Sequence, residues 1–486
     1  MASPAFDVGS GSGSSKAAAP STAVSYHGFF SNRPCGYCKK NGGRSFYLQA
    51  RSLTVSHYQS LVDRGWRRSG HLLYKPHMKL TCCKHYTIRL PTATFKPTRD
   101  QRQTLHKWNR FVLGEEYIMK AAKKWPLTRE QKKKQQTFDL IETVHAAEYS
   151  TLEAAGRVQE DLKPEHKFEV TLEPAGFTEE KYALYSHYQQ HIHKESVFEI
   201  SKDGFKRFLC KSPITPSTTA DGKKLGSYHQ LYRLDGRLIA MGVLDLLPKA
   251  VSGVYLLYHT DFEKWQLGKV SACTEAVLAQ EGGYGYHYLG YYIPSCQKMR
   301  YKATYGPSEI LKPNDNTWTP LTPELQKVLE EVDEGFLITG GDGGVASGPS
   351  SEADAANTTM GPAGSETETA NKTSTKDSSP SNPSSSQDED DDEEEDNDPP
   401  SSPSDDEDDE DSPPPGFCLR SGMPGIMTPE ELETFPLGEL KIAIQGMEVQ
   451  AKYLRGFHKE GVLRDVVREV VAVLGPVVSK EVVVRF

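Results

Sequence analysis

Residues 227–293 carry the pattern that most restricts the fold. SYHQLYRL (227–234) reads as a strand, Asp235-Gly236 as a tight hairpin turn, and RLIAMGVLDLL (237–247) as the returning strand. SGVYLLYH (252–259) makes a third strand. Residues 267–280 have helical spacing, with Ala272, Ala276, Val277 and Leu278 on the buried side. YHYLGYYI (286–293) is aromatic and β-branched with one glycine, which marks a buried strand. Pro294 ends it, because proline cannot donate to a ladder. Strand, strand, strand, helix, strand predicts an α/β (α+β) fold with the order of an acetyltransferase-like (GNAT-type) core. In such a core a helix N-terminus, here near residues 268–271, can face a phosphate group. Upstream, KFEVTLEPAGF (167–177) predicts a strand running into a turn, and residues 178–193 a helix.

Past Pro294, Lys298, Arg300 and Lys302 recur at every second position. In an extended chain they share one face, with Met299 and Tyr301 on the other. Three cations at the end of a buried strand suit an anionic ligand, either a phosphate backbone or a carboxylate. The competing reading is a solvated cationic loop at a sheet edge.

A second chemistry sits near the N-terminus. Cys35-Gly-Tyr-Cys38 is a C-x-x-C turn, and Cys82-Cys83 can complete four sulfur ligands. Zinc and an iron–sulfur cluster both accept thiolates. Adjacent cysteines in a strand diverge, so His77 or His85 is an alternative ligand, and four unmetallated thiols remain the plain alternative. Between the pairs, residues 56–64 look helical, and Arg64, Arg67, Arg68 and Lys75 surround Trp66. Such a group can grip phosphates and stack bases, or it can be a solvated face around a core tryptophan. KLTCCKHYTIRL (79–90) alternates as a strand does. Residues 96–134 are rich in Lys and Arg, with apolar residues at helical spacing. They predict one or two basic amphipathic helices, which either contact RNA or are merely solvated.

The chain has 486 residues, 36% of them apolar, and the apolar deficit is local. Residues 340–415 are nearly all Gly, Ser, Thr, Pro, Asn, Asp and Glu, and residues 388–398 and 405–411 hold 17 acids. Such a segment cannot offset its chain entropy by burial, so a long disordered acidic insert is predicted. Without those acids the formal net charge of -9 turns positive, which suits a nucleic-acid partner. No apolar run approaches the roughly 18–20 residues a bilayer requires, so no membrane partner is expected. The start reads as a flexible tail rather than a secretion signal. Eight cysteines without such a signal point to reduced thiols or metal ligands in the cytosol, with the nucleus as a second compartment. The organisation expected is a disordered tail (1–24), a Cys-rich domain with a basic helical extension (25–150), a catalytic domain (151–330), a disordered acidic linker (331–415) and a C-terminal segment (416–486). In that last segment, residues 429–434, 437–453 and 463–473 look helical, and 482–486 forms a strand able to add to the core sheet edge.

Several of these motifs, in one order, resemble a known family. They are Cys35-Gly-Tyr-Cys38, RGWRRSG (64–70), YKP (74–76), Cys82-Cys83, FLC (208–210) with Ser212-Pro213, and GSYHQ (226–230). LDG (234–236), VLDLLP (243–248), YLGYYI (288–293), Ser295-Cys296 and KMRYK (298–302) follow. Together, over residues 26–320, they resemble eukaryotic, fungal-type arginyl-tRNA–protein transferases. The resemblance implies transfer of arginine from arginyl-tRNA to the α-amine of proteins beginning with Asp, Glu or oxidised Cys, marking them for ubiquitin-dependent N-degron degradation. It implies an acetyltransferase-like catalytic domain similar to the bacterial leucyl/phenylalanyl transferase, and zinc or an iron–sulfur cluster at Cys35, Cys38, Cys82 and Cys83.

The chemistry such a reaction needs can be matched to residues. Lys298, Arg300 and Lys302, with Tyr288 and Tyr301, are candidates to bind the acidic acceptor. Asp245 is the candidate for the donor arginine, and His229 and His287 for proton acceptor or oxyanion donor. Arg64, Trp66, Arg67, Arg68 and Lys75 are the candidates for tRNA. Cys296 reads as a structural thiol rather than a nucleophile. Gln266-Leu-Gly268-Lys-Val-Ser lacks the Q/R-x-x-G-x-G/A spacing of a pyrophosphate loop, which argues against acetyl-CoA and a small-molecule acetyltransferase. A monomer is expected, with no DNA partner. A tRNA- or RNA-binding regulator with an inactive transferase core is the alternative from another class.

Overall fold

The computed structural model describes residues 21–134, 136–331 and 413–486. The expected N-terminal tail and acidic linker lie almost wholly outside the described residues. The strands, in chain order, are β1 (Ala23–Pro34), β2 (Asn41–Ser52), β3 (Arg67–Ser69), β4 (Leu72–Pro76), β5 (Tyr86–Pro91), β6 (Phe168–Pro174), β7 (Ser217–Thr218) and β8 (Lys224–Leu234). They continue with β9 (Arg237–Leu246), β10 (Ala250–Tyr258), β11 (Tyr286–Tyr292), β12 (Glu309–Leu311), β13 (Trp318–Pro320), β14 (Lys441–Ile444), β15 (Met447–Gln450) and β16 (Val483–Arg485). The helices that cover them are α1 (Val55–Val62), α2 (Arg99–Leu113), α3 (Glu115–Lys124), α4 (Glu179–His191), α5 (Leu267–Glu281) and α6 (Val462–Ser479).

The expected hairpin forms. Asp235 and Gly236 take positive φ, 52° and 84°, the geometry that suits the twist of a two-residue turn. β8, β9 and β10 follow one another antiparallel, and α5 then returns the chain to β11, which lies parallel to β10. These strands belong to one sheet of order β13-β12-β5-β11-β10-β9-β8-β6, with β7 paired to β8. Helices α2, α4 and α5 cover one face. Trp108 and Val112, Leu184 and Tyr188, and Val270, Cys273 and Val277 are buried against Leu231, Ile239 and Met241. Threonine caps begin two of these helices: Thr98 accepts from the backbone N–H of Gln101, and Thr178 from that of Lys181. No described helix is long and apolar enough to cross a membrane.

The other sheet runs β15-β14-β16-β1-β2-β4-β3. It is covered by α1 and α6, whose Leu61, Val467, Val470, Val471 and Leu474 pack on Phe46, Leu48 and Trp66. β5 precedes the boundary expected at residue 150, yet it is hydrogen-bonded between β11 and β12 in the second sheet. The C-terminal segment joins the N-terminal sheet. The helix expected over residues 437–453 is not formed; short 3₁₀ turns at Leu437–Glu439 and Ala451–Tyr453 flank two strands. Gln445 and Gly446, both at positive φ (50° and 85°), turn β14 back on β15 as a hairpin. β16 lies inside the sheet, parallel to both β14 and β1, rather than on the edge of the core sheet.

Val482, Val483 and Val484 are at most 5% exposed, and burying each is worth about 1.5–3 kcal/mol. Deleting residues 482–486 is therefore expected to cost roughly 5 kcal/mol and to open a gap between β14 and β1. Denaturant unfolding of the truncated chain checks this, and an unchanged midpoint would refute it.

Candidate active site and cysteine cluster

The cleft begins where a sheet fails to close. β10 and β11 pair only at Ala250↔Tyr286, Val251↔His287 and Ser252↔Tyr288. β10 continues to Tyr258 and β11 to Tyr292 without pairing to one another. Side chains from other elements line the opening between them. Gly290 takes φ +76°, and a Cβ there would stand 3.7 Å from Lys302 Nζ. The cleft has two lobes that share Gly253, Val254, Leu289 and Lys302.

The first lobe is walled by Tyr37, Tyr58, Arg67, Arg68, Tyr74 and Tyr291, and no described residue lining it is Asp or Glu. Arg67 and Arg68 are neighbours on β3, and both side chains reach the first lobe. Arg68 meets Asp245 on β9 in a bidentate pair, Nε to Oδ2 at 2.7 Å and Nη2 to Oδ1 at 2.6 Å, and Ser227 Oγ donates to Oδ1 at 2.5 Å. Both side chains are buried. Arg67 donates to the Trp66 and Gly290 carbonyls at 2.7 and 2.9 Å, and its buried Nε has no partner among the described residues. Lys302 is 3% exposed, its Nζ 3.3 Å from the Tyr291 carbonyl oxygen. Burial, with Arg67 nearby, pushes its ammonium down from 10.5 to about 7.

The second lobe is lined by Ser271, Glu275, His287 and Tyr301 among others. Ser271 Oγ donates to Glu275 Oε1 at 2.7 Å, and His287 Nε2 lies 2.8 Å from Glu275 Oε2.

Beside the first lobe, Cys35, Cys38, Cys82 and Cys83 converge, their sulfurs all within 4.8 Å of one another. The turn after β1 is closed by Lys39 N–H to the Cys35 carbonyl and Cys35 N–H to the Lys40 carbonyl, each 2.9 Å. Gly42 lets the second pair approach, since a Cβ there would sit 2.7 Å from Cys82 Cβ. Cys82-Cys83 lies in a bend rather than a strand, so its two side chains need not diverge. Metal–sulfur bonds of about 2.3 Å set tetrahedral sulfurs about 3.8 Å apart, and the Cys38–Cys82 separation is 3.4 Å. The four thiols therefore fit a metal without the histidines. His77 instead bonds Ser421 Oγ at 3.0 Å, and burial lowers both His77 and His85 to about 4.

Residues 33–103 match the family model described as "Arginine-tRNA-protein transferase, N terminus", and residues 180–312 the one described as "Arginine-tRNA-protein transferase, C terminus". "Arginyl-tRNA--protein transferase 2" of Arabidopsis thaliana is 30% identical, over 61% of this chain and 74% of its own length. "Arginyl-tRNA--protein transferase 1" of Saccharomyces cerevisiae is 31% identical, over 56% of this chain and 52% of its own. The chain belongs to the arginyl-tRNA–protein transferase family. An "Aspartate/glutamate leucyltransferase" of Pseudomonas fluorescens is 27% identical, over 58% of this chain and 93% of its own length.

In this family member the candidate residues separate sharply. Residues 297–304 are helical, Gln297–Arg300 followed by a 3₁₀ turn at Tyr301–Thr304. The alternation expected of an extended chain is lost, and Lys298, Arg300 and Lys302 do not share a face. Lys302 enters the cleft, exposed Arg300 pairs with Gln297 and Glu330, and Lys298 is half-buried outside the cleft lining. Tyr301 lines the second lobe. Tyr288 points away from the cleft, its hydroxyl donating to Asp63 Oδ1 at 2.5 Å. Asp245 is consumed by Arg68 and cannot receive the donor arginine. His229 has both ring nitrogens occupied, by Lys181 Nζ and the Leu209 carbonyl at 3.0 Å each, and burial lowers it to about 4. It is a structural histidine.

The tRNA group fails for the same reason, burial. Trp66 is fully buried with Nε1 donating to the Val473 carbonyl at 3.1 Å, so it cannot stack a base. Lys75 bonds the Arg64 carbonyl from inside the core, and Arg64 is held at the Gly425 carbonyl. Glu275 and Ser271 were not anticipated, although a carboxylate beside the apolar positions of a buried helix is a signal that could have found them.

Removing Arg68 leaves Asp245 ionised in the core, which costs about 3–5 kcal/mol. Arg68→Ala is expected to destabilise the chain by that amount in denaturant titration, and a change under 1 kcal/mol would refute the pairing. Cys82→Ser is expected to lower the bound zinc-plus-iron content of the purified protein to less than half, measured by elemental analysis. Unchanged content would remove Cys82 from the ligand set.

Proposed function

We propose that this chain transfers arginine from arginyl-tRNA to the N-terminal α-amine of proteins whose first residue is acidic. Family membership supports the transfer. One observation carries the preference for acids: Arg67 and Lys302 are buried cations in a lobe whose described lining contains no Asp or Glu. An incoming carboxylate supplies the missing partner, with Arg67 Nε and Lys302 Nζ as donors. The parted strands read as an acetyltransferase-like core, and the unpaired backbone of β10 and β11 can take an extended acceptor segment as an added strand.

The reaction balances without a protein nucleophile. The neutral α-amine attacks the ester carbonyl of arginyl-tRNA, the C–N bond forms and the C–O bond to the ribose breaks. The amine proton leaves and the ribose oxygen is protonated. An α-amine titrates near 7.7–8.0, so a weak base suffices, and holding the two substrates together contributes most of the rate. Water can take up that proton. Cys35, Cys38, Cys82 and Cys83 would hold zinc or an iron–sulfur cluster, which braces the turn carrying Tyr37 into the first lobe. With Trp66 and Lys75 buried, the tRNA phosphates fall instead to the exposed cations of residues 107–134, among them Lys107, Lys123 and Lys132. We place the protein in the cytosol and nucleus as a monomer, its products entering N-degron degradation.

The pH dependence follows from two groups. Lys302 must be an ammonium, a form present below about 7 and lost above it. The acceptor amine must be neutral, a form gained through about 7.7–8.0. For an Asp-initiated peptide, kcat/KM is expected to peak between pH 7 and 8 and to fall about tenfold per unit above. Lys302→Arg should remove the alkaline fall, and Lys302→Ala should cut the preference for Asp over Ala peptides about 100-fold. A wild-type profile that stays flat to pH 9.5 would exclude Lys302 from acceptor binding. Tight tRNA binding with no turnover on any acidic peptide would favour the regulator reading instead.

A further inference from the structure

The second lobe has the opposite chemistry to the first. Ser271 and Glu275 stand four residues apart on α5 and so share a face. Glu275 is 6% exposed, and among the described residues lining both lobes it is the one carboxylate. Its ion-pair partner is His287, and among the described residues no Lys or Arg forms a salt bridge with it. Each carboxylate oxygen accepts one hydrogen bond, from Ser271 and from His287, which leaves a lone pair on each. His287 faces the carboxylate through Nε2, and its Nδ1 is buried with no partner among the described residues. Two glycines on the sheet make room for the carboxylate itself. A Cβ on Gly253 would stand 3.1 Å from Oε2, and one on Gly242 3.5 Å from Oε1.

Beside the shared Lys302, the second lobe therefore adds acceptors that the first lacks. A guanidinium is the complement: planar, permanently charged, with five N–H donors and no acceptor. We propose that Glu275, with His287 Nδ1 beside it, reads the guanidinium of the donor arginine and so fixes which amino acid is transferred. This rests on the reaction given above and adds the residue that selects the donor. Gly253, Val254, Leu289 and Lys302, common to both lobes, form the wall at which the arginyl carbonyl meets the acceptor amine. Asp245, the other buried acid near the cleft, is already paired to Arg68.

The test compares two donors on one tRNA body, arginyl-tRNA and citrullyl-tRNA, with an Asp-initiated peptide as acceptor and the full chain as enzyme. Citrulline keeps the length and planarity of arginine but replaces the cation with a neutral urea that also carries an acceptor. Wild type is expected to favour arginine by at least 100-fold in kcat/KM, because a site built for a charged donor group leaves its buried carboxylate unpaired with the analogue. Glu275→Gln should bring that ratio below about tenfold while the Kd for uncharged tRNA is unchanged. The ratio is internal to each variant, so partial misfolding does not move it. If Glu275→Gln does not fold, Glu275→Asp withdraws the charge by one methylene and should lower the ratio at least fivefold. A residue that only orients His287 would slow both donors equally, and an unmoved ratio in the folded variants overturns the assignment. Absence of arginyl transfer by the wild type would overturn the reaction itself, and the assignment with it.

Discussion

Everything functional here depends on where two parallel strands stop pairing. β10 and β11 share three residue pairs and then part. Backbone groups left unpaired inside a sheet are costly unless something meets them. Here the first meeting is internal: Arg67 donates to the Gly290 carbonyl and Lys302 approaches that of Tyr291. The cations are thus present in the gap partly because the gap exposes carbonyls. One parting in the sheet thus bears on both the charge and the shape of the cleft.

The parting is held open by the neighbouring sheet. Arg68 reaches from β3 across to Asp245 on β9 and Ser227 on β8, a charge-assisted clamp between the two sheets. With Arg68 fixed in that clamp, its neighbour Arg67 is held against the Gly290 carbonyl, and both wall the first lobe. A buried pair of this kind adds little net stability against an apolar substitute, yet breaking one half of it is expensive. Its value lies in orientation. The C-terminal segment contributes to the same end from the far side, since α6 packs on Trp66 and closes the core beneath β3.

The central sheet was legible in the sequence because its signals are local: β-rich runs, an Asp-Gly turn and a proline stop. The four-cysteine cluster was legible because spacing alone brings thiols together. The cationic cluster was half legible. Lys302 was found by its charge, but its direction was misjudged, since an extended chain was assumed where residues 297–304 coil. Trp66, Lys75 and Asp245 were misplaced for a shared reason. Their burial is set by α6 and by β9 meeting β3, contacts separated by more than a hundred residues that no local pattern encodes. The hairpin at residues 441–450 was missed because its strands are only four residues long and Gln445 is an uncommon residue for positive φ.

The cleft as it stands holds groups of both signs that the protein leaves uncompensated, and this is costly for stability. Among the described residues, Arg67 Nε has no partner and Glu275 pairs with His287 but with no Lys or Arg. The strain is relieved in different ways at the two ends. Lys302 can release its proton near neutral pH and so shed its desolvation cost when no acceptor is bound. Glu275 is held at both oxygens, by Ser271 and by His287, so its carboxylate keeps one geometry in the cleft. Groups of opposite sign in adjoining lobes suit the proposed reaction, which brings a carboxylate on the acceptor and a cation on the donor. Charge held ready in a dry cleft favours the substrate that brings the opposite charge, and discriminates against one that brings none.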